Sequence, residues 1–194
     1  MSSSFISSYL SFYNLLSSSL WSYILIENIF YVFIQKAFPI PPHQVLIYTQ
    51  VFNTTIEILH SIFGLVRTPI PTLLLQSFAR LIILIGIVVY IPQSPAIYNI
   101  YTFSGLIFAW SITEIIRYSY YVFKNSSILK YLRYTTFIIL YPIGLTSESW
   151  TVFHSYEYTS GFYYYFLKYA IVLYLPGFLS LYSYMFKQRA KVLH

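Results

Sequence analysis

The chain has 194 residues, a net charge of +6 and a mean hydropathy of +0.65, and 58% of its residues are hydrophobic while only 8% are charged. A soluble globular domain carries roughly 25% charged residues, so this composition excludes a water-soluble fold and predicts a membrane protein. Cysteine is absent, which excludes disulfide frameworks, thiolate metal sites and cysteine nucleophiles, phosphatases of that kind among them.

Six apolar segments are each long enough to cross a bilayer, for which about 20 mostly apolar residues are needed. In chain order, the predicted spans are 15–34, 45–66, 70–91, 97–122, 135–153 and 162–186. Proline-containing or polar breaks separate them. The first segment lacks a basic leader and a cleavage site, so we expect it to be retained. The sequence predicts an all-α polytopic membrane protein, with residues 1–194 forming a single six-helix domain.

The basic residues give this bundle an orientation, because cytosolic loops are enriched in Lys and Arg. With six spans, Lys36 and Lys168 fall on one side of the membrane. The other side receives Arg67, Arg117, Lys124, Lys130, Arg133, Lys187, Arg189 and Lys191. This asymmetry predicts that both termini are cytosolic. Because the basic residues lie between apolar segments, membrane topology explains the net positive charge. We therefore expect no nucleic acid partner.

Glu57 and His60 stand three residues apart in the second span and share one helix face. This spacing is used by di-iron carboxylate bundles, but those sites need a second copy of the motif. No other Glu in the chain is followed by His at that distance. We therefore expect no metal here and favour a hydrogen-bonded structural pair.

The third span holds Gln76 and Arg80, and the fourth holds Glu114 and Arg117, again at helical spacing. Ionisable groups at membrane depth are costly and are usually paired or functional. One interpretation is that they form interhelical ion pairs, for example between Glu57 and Arg80. The intramembrane charges alone favour structure and function equally.

The fifth span carries Tyr141 and Glu148, seven residues apart on one face and separated by roughly 10 Å of helical rise. Pro142 and Gly144 lie between them and are expected to bend the segment. A phenol and a carboxylate that face one cavity have the chemistry of an acid–base pair. In a chain with 23 tyrosines, this pattern is weak by itself.

Several ordered motifs resemble the membrane-bound (3R)-3-hydroxyacyl-CoA dehydratases of very-long-chain fatty acid elongation, also known as protein-tyrosine-phosphatase-like proteins. The resemblance runs the length of the chain. Its most specific block is Trp110-Ser111-Ile112-Thr113-Glu114-Ile115-Ile116-Arg117-Tyr118, then Leu132-Arg133-Tyr134-Thr135, then Tyr141-Pro142-Ile143-Gly144 and Glu148. Further matching motifs are Glu57-Ile58-Leu59-His60 and Gln188-Arg189-Ala190-Lys191.

The resemblance implies a six-span enzyme of the endoplasmic reticulum membrane that eliminates water from a long-chain 3-hydroxyacyl-CoA and requires no cofactor. It implies that Tyr141 and Glu148 are the catalytic pair. Membrane lipid and the other enzymes of the elongation cycle are the implied partners. Other family motif positions are expected to have supporting or substrate-binding roles, namely Glu57, Gln76, Arg80, Glu114, Arg117, Arg133 and Gly144.

Our hypothesis makes Glu148 the base and Tyr141 the proton donor, with the reverse or water-shared assignment left open. Arg80 or a backbone group freed near Pro142 is a candidate donor to the thioester carbonyl. Counting from Arg133 places Tyr141 roughly 12 Å into the membrane. The main alternative is a catalytically silent scaffold that binds elongase or phosphorylated partners, and a transporter is a third reading.

Overall fold

The computed structural model describes residues 3–39, 43–66 and 70–193, and over these ranges the chain is helical without a strand. Two 3-10 turns, at Pro95–Tyr98 and Tyr156–Tyr158, precede the fourth and the last helix. The all-α prediction is therefore confirmed. The helices are α1 (Ser3–Phe30), α2 (Gln44–Ile62), α3 (Ile70–Leu81), α4 (Thr102–Val122), α5 (Ser127–Arg133), α6 (Phe137–Phe153) and α7 (Gly161–Leu193).

Each predicted span overlaps one helix, and α3 continues as a π-helix over Ile82–Val89. The residue at which a helix ends need not be the residue at which the chain leaves the membrane. α1 begins at Ser3, well before the predicted residue 15. Serines in its first half dilute the hydropathy without ending the helix. Further along α1, inside the predicted span, Ser19 donates its hydroxyl to the Leu15 carbonyl at 3.0 Å and Ser22 donates to the Ser18 carbonyl at 2.8 Å.

Two helical segments of the described chain, Ser4–Gln35 and Gly161–Leu193, are long and apolar enough to cross a bilayer. The first includes a π-helical extension of α1 over Tyr31–Gln35, and a shorter apolar segment covers Gln76–Val89. The count of six spans and the orientation of the termini remain predictions. Arg67, which contributes to the predicted orientation, lies outside the described residues.

α4 is the central helix, with α1 packed against one side of it and α6 against another. Phe103 and Leu106 of α4 and Trp21 of α1 are fully buried at this centre. A polar seam joins α1 to α2, where Trp21 Nε1 donates to Asn53 Oδ1 at 2.9 Å and Asn53 Nδ2 donates to Ser17 Oγ at 2.7 Å. The buried polar groups of this seam thus find their partners on a neighbouring helix.

The outer surface is covered by large apolar side chains. Exposed fractions reach 84% at Phe162 and 67% at Val172, and of the described side chains of α7 only Leu167 is buried. Soluble monomers rarely expose contiguous apolar surface of this extent. The surface is suited to contact with lipid chains.

Candidate active site

Two arginines and two glutamates form a charge-neutral ladder across three helices. Arg80 Nη1 of α3 donates to Glu114 Oε1 of α4 at 2.6 Å. Arg117, one turn further along α4, donates its Nε to Glu114 Oε2 at 2.6 Å and its Nη2 to Glu57 Oε1 of α2 at 2.7 Å. Glu114 is only 4% exposed, so both of its oxygens depend on these partners.

The predicted pairing of Glu57 with Arg80 is wrong, because Glu57 pairs with Arg117. Glu57 also accepts a hydrogen bond of 2.7 Å from the Tyr118 hydroxyl. His60 shares the face of Glu57 but bonds the Tyr9 hydroxyl of α1 at 2.9 Å. The predicted hydrogen bond between Glu57 and His60 is not formed, since each side chain has its partner on another helix.

Trp110 connects the ladder to Glu148. The Arg80 guanidinium carbon lies 5.0 Å from the centre of the Trp110 ring, within range of a cation–π interaction. Trp110 Nε1 donates to Glu148 Oε1 at 2.8 Å, which orients the carboxylate. The Tyr174 hydroxyl of α7 also lies close to this carboxylate.

Tyr141 faces α7, and its ring is parallel to two aromatic rings of that helix. The ring centroids are 5.3 Å apart for Phe178, with planes inclined by 10°, and 5.8 Å apart for Tyr182, with planes inclined by 16°. Among the described residues, the Tyr141 hydroxyl has no hydrogen-bond partner. The Glu148 carboxylate is close enough to act on the Tyr141 hydroxyl electrostatically. The arrangement combines a phenol free to donate with a carboxylate fixed by an indole.

Tyr141 lies nearer the start of its helix than a count from Arg133 indicates. Arg133 ends the separate short helix α5, and α6 begins only at Phe137. Tyr141 therefore lies four residues into its helix, or about 6 Å along the axis, and not the roughly 12 Å counted from Arg133. Glu148 lies about 16 Å along the same axis. The depth of the pair in the membrane stays a prediction.

Small residues bring α6 close to α4 beside the site. A Cβ atom added to Gly144 would lie 3.3 Å from the Ala109 side chain, and one added to Gly105 would lie 2.8 Å from Ser147 Oγ. Close approach of the two backbones needs these glycines, as at other helix contacts in membranes. This close contact between α4 and α6 keeps Trp110 and Glu148 within hydrogen-bond distance.

We expect Gly144→Val to destabilise the protein by about 1–3 kcal/mol, because the branched side chain forces α4 and α6 apart. The thermal unfolding of purified protein in detergent measures the change. Gly177→Val is the matched control, since nothing lies within 4 Å of a Cβ added at Gly177 in α7. Equal destabilisation by both substitutions would show that the helix contact is not responsible.

The other expected supporting residues lie apart from the pair. Gln76 is exposed on α3 and has no hydrogen bond to another described residue. The Arg133 guanidinium lies over the rings of Tyr120 and Tyr121, at 4.8 and 4.7 Å, and donates to the Tyr121 hydroxyl at 3.1 Å. Within the described ranges, no three His or Glu side chains are grouped to hold a metal ion.

Sequence reasoning did not identify Trp110, Tyr174 and Tyr182 as site residues. Helical spacing contains part of the signal, since Trp110 precedes Glu114 by four residues and Tyr174 precedes Phe178 by four. The spacing shows which residues share a face. It does not show that the faces of α4 and α7 meet at Glu148.

Comparison with known proteins identifies the family. The matching family is described as protein tyrosine phosphatase-like protein, PTPLA, and the match covers residues 50–194. The very-long-chain (3R)-3-hydroxyacyl-CoA dehydratase hpo-8 of Caenorhabditis elegans is 33% identical over 214 positions, which cover 97% of this chain and 95% of the relative. A probable enzyme of the same name from Schizosaccharomyces pombe is 36% identical, over 95% of this chain and 92% of the relative.

A plant relative, the very-long-chain (3R)-3-hydroxyacyl-CoA dehydratase PASTICCINO 2 of Arabidopsis thaliana, is 34% identical over 71% of each chain. No solved structure matches the chain. The family match covers well over half of the sequence, and the two relatives above align over nearly all of it. The chain therefore belongs to the protein tyrosine phosphatase-like (PTPLA) family.

Proposed function

We propose that the chain is a very-long-chain (3R)-3-hydroxyacyl-CoA dehydratase, a hydro-lyase of fatty acid elongation. The observation that supports this best is the pair on α6, with the Tyr141 hydroxyl free of hydrogen bonds to described residues and the Glu148 carboxylate held by Trp110. The names of the full-length relatives supply the reaction. The chain's own residues supply one group to accept a proton and another to donate one.

In the proposed reaction, Glu148 removes the proton from C2 of the acyl chain. The C2–H electron pair forms the C2–C3 double bond as the C3–O bond breaks. Tyr141 protonates the departing hydroxyl, and water leaves. The Glu148 carboxyl then loses a proton to solvent water and the Tyr141 phenolate regains one from it, which restores both groups. The net products are trans-2-enoyl-CoA and water, and no redox partner is needed.

Negative charge builds on the thioester oxygen while C2 is deprotonated, so a donor beside that oxygen lowers the barrier. The backbone group freed by Pro142 is the Ile138 carbonyl, an acceptor, so it is unsuited to this role. Arg80 is the better candidate, because its Nη1 bonds Glu114 and Gln50 while its side chain is 23% exposed. Its place beside Trp110 puts this cation near Glu148.

The CoA head is proposed to bind where α5 meets the start of α6. Lys124 and Lys130 lie at this end of the bundle, and Arg133 ends α5. Cations there suit the phosphates of CoA. The pantetheine arm then runs about 6 Å along α6 toward Tyr141, C2 and C3 lie between the Tyr141 and Glu148 side chains, and the acyl tail continues into the bundle interior.

The membrane arrangement is part of the proposal. We place six spans in the endoplasmic reticulum membrane, with both termini and α5 on the cytosolic side, near other elongation-cycle enzymes. Because the chain has no native cysteine, single cysteines report topology directly. We expect a membrane-impermeant maleimide to label Asn125→Cys in sealed microsomes, while Gln93→Cys is labelled only after permeabilisation. The opposite pattern would reverse the orientation.

The activity itself is tested with purified protein in nanodiscs and a long-chain (3R)-3-hydroxyacyl-CoA. We expect protein-dependent formation of trans-2-enoyl-CoA, measured by mass spectrometry, without added metal or nucleotide. The relatives are named for the (3R) substrate, so the (3S) enantiomer is the matched control and should not be dehydrated. A well-folded protein that forms no enoyl product would instead favour the catalytically silent scaffold.

A further inference from the structure

Pro142 leaves one backbone carbonyl of α6 without its helical partner. Proline has no N–H, so the carbonyl four residues earlier, at Ile138, loses its intrahelical hydrogen bond. The Tyr182 hydroxyl of α7 donates to this carbonyl at 2.9 Å. A tyrosine from a neighbouring helix thus replaces the missing backbone donor.

The ring of the same tyrosine is stacked beside the proposed catalytic phenol. Tyr182 and Tyr141 have parallel rings, and Phe178 stacks with Tyr182 at 4.9 Å between centroids and an inclination of 20°. Phe137 and Phe186 pack edge-on to Tyr182, at 5.8 and 5.0 Å. The ring therefore has fixed neighbours, and its hydroxyl is anchored to α6.

We infer that Tyr182 is a positioning residue for Tyr141, held in place through the carbonyl that Pro142 frees. This inference rests on the proposed function, because it assigns Tyr182 to the acid–base chemistry of Tyr141. The hydroxyl of Tyr182 fixes α7 to the turn of α6 that precedes Tyr141. Its ring then sets the direction of the Tyr141 phenol, which has no hydrogen bond of its own to a described residue.

Small errors in the placement of a reacting group are costly in rate. Tyr182→Phe keeps the stacked ring and removes only the anchoring hydroxyl. We expect kcat to fall about tenfold with KM changed less than twofold, as for loss of a hydrogen bond that orients a reacting group. Tyr184→Phe is the matched control, since Tyr184 is on the same helix and is 57% exposed. It should leave both constants unchanged.

A double-mutant cycle with Pro142→Ala tests the anchoring directly. Alanine restores an N–H at position 142, which bonds the Ile138 carbonyl within the helix. In that background, we expect Tyr182→Phe to change kcat less than twofold. An equal loss of kcat in both backgrounds, or a change confined to KM, would overturn the inference. If Tyr182→Phe alone fails to fold, Pro142→Ala should restore its folding, and failure to do so has the same consequence.

A separate variant, Tyr141→Phe, distinguishes this inference from the proposed function. An inactive Tyr141→Phe together with a fully active Tyr182→Phe would refute the positioning role and leave the reaction assignment intact. A fully active Tyr141→Phe would refute the assignment of the acid, and with it the positioning of that acid. Unfolding temperatures of the four cycle proteins then show whether the hydrogen bond to Ile138 forms.

Discussion

Glu148→Gln is expected to lower kcat for dehydration by roughly 10²- to 10⁴-fold, the range typical of a lost general acid–base group. The amide keeps the size of the side chain and an oxygen that can accept the 2.8 Å bond from Trp110 Nε1. What it lacks is a site that takes up a proton. The measurement is single-turnover formation of enoyl-CoA by purified protein in nanodiscs.

The matched control for this loss is Glu157→Gln. Glu157 lies in the exposed 3-10 turn before α7, so the same chemical change there should leave kcat unaltered. Unfolding temperatures of both variants should stay near that of the unmodified protein. Near-normal turnover by a well-folded Glu148→Gln protein would contradict the assignment of Glu148 to the reaction.

Tyr141→Phe should produce a loss in the same range, because it removes the proton donor to the leaving hydroxyl and keeps the ring that stacks on Phe178. A substrate with a good leaving group separates the two roles. A 3-acetoxyacyl-CoA expels acetate, which needs no proton to depart. If Tyr141 is the acid, this substrate should restore turnover to Tyr141→Phe and not to Glu148→Gln.

The opposite pattern of rescue would assign the base to Tyr141 and the acid to Glu148. Rescue of neither variant would mean that each residue has another task, such as binding the thioester. Tyr169→Phe is the matched control, since Tyr169 is 64% exposed on α7. It should match the unmodified protein with both substrates.

Periodicity and hydropathy predicted the helical class and the approximate course of the chain. The predicted span 135–153 corresponds to α6 at Phe137–Phe153 because a continuous apolar run and a helix coincide there. They do not coincide in α1, which begins at Ser3 with a serine-containing stretch that precedes the apolar run. The helix α5 was not predicted, since seven amphipathic residues carry too short a pattern to be told from a loop.

The candidate site was likewise only partly predictable from the sequence. Spacing along one helix predicted that Glu114 and Arg117 share a face, and the structure joins them directly. Spacing cannot determine which helices are neighbours, so Arg80 was one example of a partner for Glu57, where the structure has Arg117. Trp110 and Tyr182 were missed for the same reason, because their roles arise only where α4 and α7 meet α6.

The second large effect is expected on stability, in the charge ladder of Arg80, Glu114, Arg117 and Glu57. We expect Glu114→Gln to destabilise the protein by about 3–5 kcal/mol, the cost typical of removing one partner from a buried ion pair. Glu114 stands between Arg80 and Arg117, and its side chain is 5% exposed, so its loss leaves two cations facing one another with Glu57 as their single anion. Thermal and denaturant unfolding in detergent measure the change.

A charge-balanced variant shows whether the imbalance or the lost packing is responsible. Combining Glu114→Gln with Arg80→Gln leaves Arg117 paired with Glu57 and restores neutrality. We expect the double variant to regain at least half of the lost stability, because no cation is then left unpaired. A double variant that is less stable than Glu114→Gln alone would show that Arg80 stabilises the bundle through Gln50 and Trp110 independently of Glu114. Stability, and not turnover, is the readout of this pair of variants, because Arg80 is also the proposed donor to the thioester oxygen.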